Sequence, residues 1–588
     1  MTDLQEHTDM SPSEHLPVEP AVLRPADDQT WDAEADVIVV GTGVAGDTTA
    51  IHCADLGASV IMLEKSAAPG GTSAKSGGGM MVPNNSYQRA LGDVESKEDF
   101  IAFLARVGRP LLYSASHPTF GLPQWEYDLI EAYFDHAGEA LTRLEELGAL
   151  RVMHIAGWPS YSDVPEDRMP RGRYVVPQDD AGEMSNGRNA IERMMRTLDE
   201  LGVEVRLGFR VDGVYVNDAG AVVGVRGHDG AASRSIRARK AVVFASGGFT
   251  HNTPLTREYM NGRIVGGCAA VTNTGDFLQI AKSLGLPLHQ MDEAFWAPVV
   301  WEQALAHDPT LIANFNCAGD SMLVVNKYGD RIANEKVTYH DRTRSHFLWD
   351  PTLVEYPNFL QFVVMDKRCR DRYGYDGFID LTAGNFIPRV GETSPYFLEG
   401  ATLEELAERF AERLAQHPDE AAGTRLAEDF AESLHSSIER FNGFARQGRD
   451  DDFHRGQTAI EQFFMGLDNQ LRPAEADPDD SAGQLDPTLH PLADEGPYYG
   501  IILAPGVLDT KGGPKVNATL QVLDGDGRPV PGLYGLGNCV ASASGQAYWS
   551  AGCTWGPYLT FGYIAARSIV GEPEKHVGAG RDTARVLV

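Results

Sequence analysis

The sequence predicts an α/β fold, and three features read in order along the chain predict it. A β-branched run, Val37 to Val40, has the continuous apolar character of a parallel strand buried on both faces. It leads straight into Gly41-x-Gly43-x-x-Gly46 and then into a helical pattern that ends near Gly57. A second strand, Ser59-Val-Ile-Met-Leu63, closes the unit and ends in Glu64. In such a unit the glycines serve a tight turn, a close backbone approach to a pyrophosphate, and close helix–strand packing. The helix N-terminus offers its dipole and unbonded N–H groups to phosphate. An acid about 20 residues after the glycines accepts hydrogen bonds from an adenosine ribose. A lone glycine motif is often only a turn, but here strand, glycines, helix, strand and acid occur in sequence. The Rossmann-like unit is therefore read as a dinucleotide site.

The 588 residues exceed what one core supports, so two or three domains are expected. A net charge of −33, from 83 acidic and 50 basic residues, argues against nucleic acid or an anionic membrane as partner. The six cysteines are scattered with no C-x-x-C pair, which points away from a metal cluster or disulfide framework and toward a reducing compartment. Residues 1–31 are polar, acidic and Pro-containing, without a signal-peptide pattern, and read as a disordered leader. No apolar run approaches membrane-spanning length. These features together predict a cytoplasmic protein with no membrane span.

Three further segments bear on the cofactor. Pro69-Gly-Gly-Thr-Ser-Ala-Lys-Ser-Gly-Gly-Gly-Met80 is rich in glycine and hydroxyls, suited to backbone lying against a flavin and its phosphates. Lys240-Ala-Val-Val-Phe-Ala-Ser-Gly-Gly-Phe249 reads as a strand ending in a glycine turn. Gly532-Leu-Tyr-Gly-Leu-Gly-Asn538 precedes a helical stretch from about Gly556 to Val570, whose N-terminus suits negative charge on a reduced flavin. In combination these segments resemble the fumarate reductase/succinate dehydrogenase flavoprotein superfamily over about Asp36 to Val570.

That resemblance implies an FAD-binding domain split in sequence, 32–292 and 494–575, with an inserted α+β substrate-capping domain at 293–493 and a tail at 576–588. Amphipathic helices at 401–415 and 425–446 and a Pro/Asp-rich connector at 472–495 accord with the insertion. Three short strands between 203 and 240 read as a β-meander. The resemblance further implies FAD contacts from Gly41, Gly43, Ala45 and Gly46, from Glu64 and Lys65, and from Gly71, Thr72, Ser73, Ser76, Gly77 and Gly78. Further contacts are implied from Val211, Ala245, Ser246, Gly247 and Asp276, and from Gly537, Asn538, Gly556, Tyr558 and Leu559. Family members that tether FAD do so through a histidine in the glycine-rich segment. Residues 66–82 contain none, so non-covalent FAD is expected.

Two branches of the superfamily differ around the substrate. The fumarate reductases carry an arginine in N-E-x-x-T-R-D and His and Arg clamps near the C-terminus. This chain has Asn334-Glu-Lys-Val-Thr-Tyr339-His-Asp341, then Asp509-Thr-Lys-Gly-Gly513, and no arginine from Gly545 to Tyr558. A buried dicarboxylate would lack bidentate partners. The 3-ketosteroid dehydrogenases are more similar in all three segments, including Tyr548-x-x-x-Gly552 followed by Gly-Pro. By position the resemblance makes Tyr339 the base for a proton α to a carbonyl. Tyr548 and the N–H of Gly552 become the donors to its oxygen, and flavin N5 the acceptor of the β-hydride. A tyrosine base has a free pKa of about 10 and needs lowering or a relay, for which His340 stands beside Tyr339.

Trp296, Tyr499, Trp549 and Ser550 are read as lining the substrate pocket, with Tyr133 a further candidate. The aromatics Trp549, Trp555, Tyr558, Phe295, Trp296 and Trp301 suit one cyclohexanone-type ring, though interior packing is the commoner fate of tryptophan. The expected reaction is desaturation next to the carbonyl of a cyclic ketone, either a 3-ketosteroid or a smaller ring such as 4-oxocyclohexanecarboxylate. The carboxylate of the latter would be anchored by Arg342 or Arg344. An unidentified electron acceptor completes the cycle. The same chemistry run backwards, as a fumarate- or urocanate-type ene-reductase, and a flavoprotein whose FAD is structural remain the competing readings.

Overall fold

The computed structural model describes residues 21–577, apart from 27, 170, 231, 308–309, 312–316, 318, 375–386 and 472–484. The chain divides into two compact units. The first comprises residues up to 260, 269–294 and 509 onward. The second comprises 261–268 and 295–508.

The first unit is α/β, built on a nine-stranded sheet. Its centre is the strand Ala33–Val40, which pairs in parallel with Val60–Leu63 on one side and with Ala232–Phe244 on the other. Val37, Ile38 and Val39 are fully buried, as a strand covered on both faces requires. Pro529–Gly535 adds in parallel to the far side of Ala232–Phe244, so the C-terminal segment joins the same sheet. The helices Val44–Asp55 and Trp555–Val570 both belong to this unit, and Gly562 lies against Thr48 and Thr49 too closely to admit a side chain.

Two local readings are corrected here. The run from 203 to 209 is two strands. Glu204–Arg206 extends the parallel sheet beside Ile61–Leu63, while Phe209–Val216 pairs antiparallel with Val222–Asp229. Gly208, at φ +67°, makes the break, and its N–H bonds to the Ser66 carbonyl. Of the leader drawn at 1–31, residues 1–20 lie outside the described residues, but Ala21–Leu23 forms a strand on Gly213–Tyr215. Arg24 anchors it by donating to the Asn217 carbonyl at 2.6 Å. Most of the tail at 576–588 lies outside the described residues, as does 472–484 of the connector.

The second unit holds a five-stranded sheet. Tyr498–Ala504 lies between Val299–Val300 and Gln361–Asp366, and Met322–Val325 is beyond the latter. The strand Tyr498–Ala504 pairs antiparallel with Gln361–Asp366 from end to end. That pairing places 494–508 with this unit, whereas the sequence division put it with the first. Gly266–Gly267 joins for the same reason, by pairing with Gly506–Val507. The amphipathic helices are Leu403–Gln416 and Phe430–Gln447, each burying an apolar stripe. Among the described residues no helix is long and apolar enough to cross a membrane.

Candidate active site

Within the first unit an elongated cleft lies along the carboxyl ends of the parallel strands, where open α/β sheets bind ligands. Of the cofactor residues drawn from the sequence, sixteen line it. They are Gly41, Gly43, Ala45, Glu64, Lys65, Gly71, Thr72, Ser73, Val211, Ala245, Ser246, Gly247, Asp276, Gly537, Asn538 and Tyr558. Gly46, Ser76, Gly77, Gly78, Gly556 and Leu559 are not in this lining. The local geometry shows what packing several of them serve. A Cβ on Gly46 would lie 2.0 Å from the Gly41 carbonyl oxygen, so Gly46 serves helix–strand packing. Ser76 accepts from Trp555 Nε1 at 3.0 Å and donates to the Ser73 carbonyl. Gly556 lets the last helix approach Met81, and Leu559 is fully buried.

The cleft fits a dinucleotide. Gly41 sits at φ +106°, and a Cβ there would come within 2.4 Å of the Ala245 carbonyl oxygen, so neither conformation nor space admits a side chain. The helix that follows starts at Gly43 with no side-chain cap, and its first turn lines the cleft. Glu64 is oriented by three donors, Thr42 N at 3.1 Å, Thr42 Oγ1 at 2.9 Å and Ser66 N at 2.8 Å. A carboxylate has about four acceptor sites, so room for a ribose hydroxyl remains. Beyond it, Asp276 holds both Lys65, at 2.9 Å, and Arg210, at 2.9 Å. Burial pushes the Asp276 carboxyl up, but these two cations outweigh it and bring it below the usual range.

The lining contains residues the sequence reading did not assign, among them Thr42, Phe209, Phe244, Asn273, Phe277 and Asp509. Asp509 is 2% exposed; burial pushes its carboxyl above the usual range, outweighing hydrogen bonds from Asn538, Thr250, Gly248 and Asn273 that pull it down. Asp47, one residue past the glycine motif, is fully buried, and its carboxyl oxygens have no hydrogen-bond partner among the described residues. Burial and the neighbouring Glu64 charge push its carboxyl well above the usual range.

The segment carrying Tyr548 and Gly552 also belongs to the first unit. The Tyr548 ring stacks on Tyr161, with centroids 5.7 Å apart and planes 25° apart. Tyr161 was not recognised in the sequence, where nothing local marks it. Lys511, fully buried, donates to Ser544 Oγ at 2.7 Å and to the Ala547 carbonyl at 3.2 Å, bracing the residue before Tyr548. The Gln546 N–H bonds to the Gly108 carbonyl, and Gly108 leads into Arg109, which forks onto the buried Glu126. Gly552 has φ +79°, and a Cβ on it would meet Met80 backbone at 2.5 Å. Trp549 faces inward, stacked on Tyr133 at 6.5 Å, and borders a small apolar cavity with Leu129, Cys553 and Phe561. Tyr133 is fully buried, and its hydroxyl donates to the Met81 carbonyl. Ser550 is buried, and its carbonyl accepts from Cys553 N.

In the second unit Tyr339 opens the helix Tyr339–Arg344 and is 7% exposed. Its neighbour His340 is fully buried, and its Nδ1 accepts the Trp296 N–H at 3.1 Å. That bond fixes a tautomer with the proton on Nε2 and ties the Trp296 backbone to the tyrosine helix. It gives His340 a structural task beside Tyr339. The approach to Tyr339 is held by Glu335, which takes a fork from Arg331, at 2.7 and 2.8 Å, and a bond from Arg455 at 3.2 Å. Arg342 is 3% exposed and donates to the Glu335 and Val337 carbonyls, whereas Arg344 is half-buried. Tyr499 stacks on Phe397 at 5.3 Å within a buried apolar cluster that includes Met365 and Cys369.

Comparison with known proteins agrees with this geometry. Residues 36–554 match the family described as FAD binding domain. The chain is 30% identical over 580 residues to 4-oxocyclohexanecarboxylate 2-dehydrogenase of Sinomonas cyclohexanicum, covering 91% of this chain and 93% of that protein. It is 29% identical to 3-oxosteroid 1-dehydrogenase of Mycolicibacterium smegmatis, over 91% of this chain and 97% of that one. In fold it resembles the 3-ketosteroid Δ1-dehydrogenase of Sterolibacterium denitrificans solved with 1,4-androstadiene-3,17-dione. There the TM-score is 0.74 at 24% identity, covering 91% of this chain and 99% of that one.

Proposed function

The chain belongs to the FAD binding domain family of FAD-dependent oxidoreductases, and on that premise we propose that it desaturates a cyclic ketone between the carbons α and β to its carbonyl. The observation that carries this reading is the segment around Tyr548. Its phenol is buried, stacked on Tyr161 and braced from behind, and no cation lies between Gly545 and Tyr558. Such a segment suits a neutral carbonyl and has nothing with which to hold a carboxylate. Two relatives that span nearly the whole chain are named for ring ketones, one a steroid and one a single ring.

The division of labour follows from chemistry. An α-proton is weakly acidic, so the charge that develops on the carbonyl oxygen as it leaves must be stabilised. The Tyr548 hydroxyl and the Gly552 N–H donate to that oxygen, and Tyr161 holds the Tyr548 ring in place. Tyr339 accepts the α-proton. The cleft residues would hold FAD non-covalently, and FAD bound there would supply the two-electron oxidant for the β-hydride through its N5. A substrate that bears a carboxylate would be anchored by Arg342 or Arg344. Acid precipitation should release all of the yellow chromophore into the supernatant, and a pellet that keeps it would mean a covalent tether.

The test is anaerobic mixing of the oxidised holoprotein with a 5α-reduced 3-ketosteroid, cyclohexanone and 4-oxocyclohexanecarboxylate, and of dithionite-reduced protein with fumarate. Bleaching by a saturated ring ketone supports the proposal and reports the ring size. Reoxidation by fumarate with no bleaching by any ketone would overturn it in favour of an ene-reductase.

A further inference from the structure

Asp509 stands in the wall of the cofactor cleft, and both of its carboxylate oxygens are saturated with donors from separate segments. Oδ2 accepts from Gly248 N at 3.0 Å, Asn273 Nδ2 at 2.7 Å and Asn538 Nδ2 at 2.9 Å. Oδ1 accepts from Thr250 Oγ1 at 2.7 Å and from Thr510 N at 2.9 Å. Each donor's role is settled by its other bonds. The Asn538 oxygen accepts from the Tyr558 hydroxyl at 2.5 Å, which leaves its amide nitrogen for Asp509. Thr250 Oγ1 accepts from Thr510 N at 3.1 Å, which turns its own proton toward the carboxylate. Gly248 carries no side chain because a Cβ would lie 2.5 Å from Asp509 Oδ1.

Among the described residues five donors and no acceptor face this group, so their geometry favours its anionic form against the burial that pushes it up. Three segments meet on it, the glycine turn after the strand Ala232–Phe244, the loop before Asp276, and Gly537–Asn538. Gly247, Asn273 and Asn538 line the cleft beside Asp509 itself. One buried charge therefore does two things, holding one wall of the site together and placing a fixed negative charge in that wall. Reduction adds electrons to the flavin, and a fixed anion in a medium of low dielectric disfavours the more negative state.

We propose that Asp509 is a positioning residue for the flavin, tying these three segments into the cleft wall and holding the bound cofactor's reduction potential down. The inference rests on FAD occupying the cleft and is independent of the ketone reading. Its test needs no substrate, so the two can fail separately.

The experiment is a dye-equilibrated reductive titration of FAD-loaded protein, alongside the rate at which FAD dissociates. Asp509→Asn removes the charge and turns one acceptor into a donor facing donors. Its potential should rise by the equivalent of at least tenfold in the reduced-to-oxidised ratio, ~30 mV for a two-electron couple. FAD should also leave at least tenfold faster. Thr250→Val removes one donor and keeps the charge. It should hasten FAD loss as well, but the less neutralised carboxylate should lower the potential. Opposite signs from the two variants are the signature, because simple loosening of the site would move both potentials the same way. An unchanged or lowered potential in Asp509→Asn, or a raised one in Thr250→Val, overturns the inference. If Asp509→Asn retains no flavin, the sign found for Thr250→Val decides.

Discussion

Replacing Tyr548 by phenylalanine separates the chemistry of that residue from its packing. The ring is 7% exposed and stacks on Tyr161 at 5.7 Å, and phenylalanine keeps both the volume and the stack. Only the hydroxyl goes, so the effect on folding should stay near the ~1 kcal/mol of one buried hydrogen bond. The effect on catalysis should be far larger. Losing one preorganised donor to a developing oxyanion costs about 2.7–4 kcal/mol, or 10²–10³ in turnover. The assay is the anaerobic rate of flavin bleaching by the ketone that bleaches the wild type, with FAD content and melting temperature measured on the same preparation. Turnover should fall by two to three orders of magnitude while FAD content is unchanged. Tyr161→Leu keeps the hydroxyl and removes the stack, worth about 0.5–1.5 kcal/mol, so its rate should fall only about two- to twelve-fold. A loss below fivefold in Tyr548→Phe at full FAD occupancy would refute the assignment, since no oxyanion donor is worth so little.

Other consequences are as direct. Tyr339→Phe should abolish steady bleaching while leaving ligand-induced shifts in the flavin spectrum, because proton removal is lost and binding is not; a rate within tenfold of wild type would exclude Tyr339 as the base. Arg455→Met should destabilise the second unit by about 3–5 kcal/mol, since it strips a cation from the buried Glu335 and removes a donor from the Met322 and Asp320 carbonyls. Urea unfolding should show this, and a change under ~1 kcal/mol would count against a shared buried network. Burial holds His52 and His346 near pKa 4, against an ordinary 6.5. Both are neutral when folded and protonate more readily when unfolded, so their stability is present above pH 6.5 and is lost progressively down to pH 4. At 1.36 kcal/mol per unit each contributes roughly 3 kcal/mol. Glu302, pushed up to about 7 by burial, opposes this as pH rises from 4.5 to 7. His52→Phe should flatten the acid limb of urea midpoint against pH, and an unchanged slope would mean that His52 is already protonated in the fold.

What was legible in the sequence is what is local. Val37 to Glu64 contains the strand, turn, helix and acid of the cleft in one run, because a βαβ unit makes its own site from neighbouring residues. Lys65 and Asp276, each drawn from the sequence as a cofactor contact, pair with one another, and Arg210, the second cation on Asp276, carries no local signal. Asp509 was visible only as part of a segment lacking a histidine. Its role depends on donors at 248, 250, 273 and 538, which no periodicity brings together. Tyr161 is a similar case, an aromatic in an irregular segment that acquires meaning only through its stack on Tyr548. The unit of the strand Tyr498–Ala504 was not legible, because its antiparallel partner Gln361–Asp366 lies far earlier in the chain and cannot be read from the strand itself. Trp549, read from the sequence as a pocket residue, has its ring stacked on Tyr133, a contact that no local signal indicates.

The cations carry the distinction between a carboxylate and a ketone as substrate. Holding a dicarboxylate out of water takes forked donors on both ends, since a buried unpaired charge costs several kcal/mol. In the first unit Lys511 stands in the segment where the fumarate reductases place a clamp, but it is fully buried and turned onto Ser544 and the Ala547 carbonyl. Arg109 lies near the same loop and is forked onto Glu126. In the second unit Arg342 points at backbone carbonyls, and Arg331 and Arg455 converge on Glu335. Each of these groups stabilises a loop or an acid of the protein itself. None of these five cations stands as a spare forked donor, which accords with the proposed substrate presenting a neutral carbonyl.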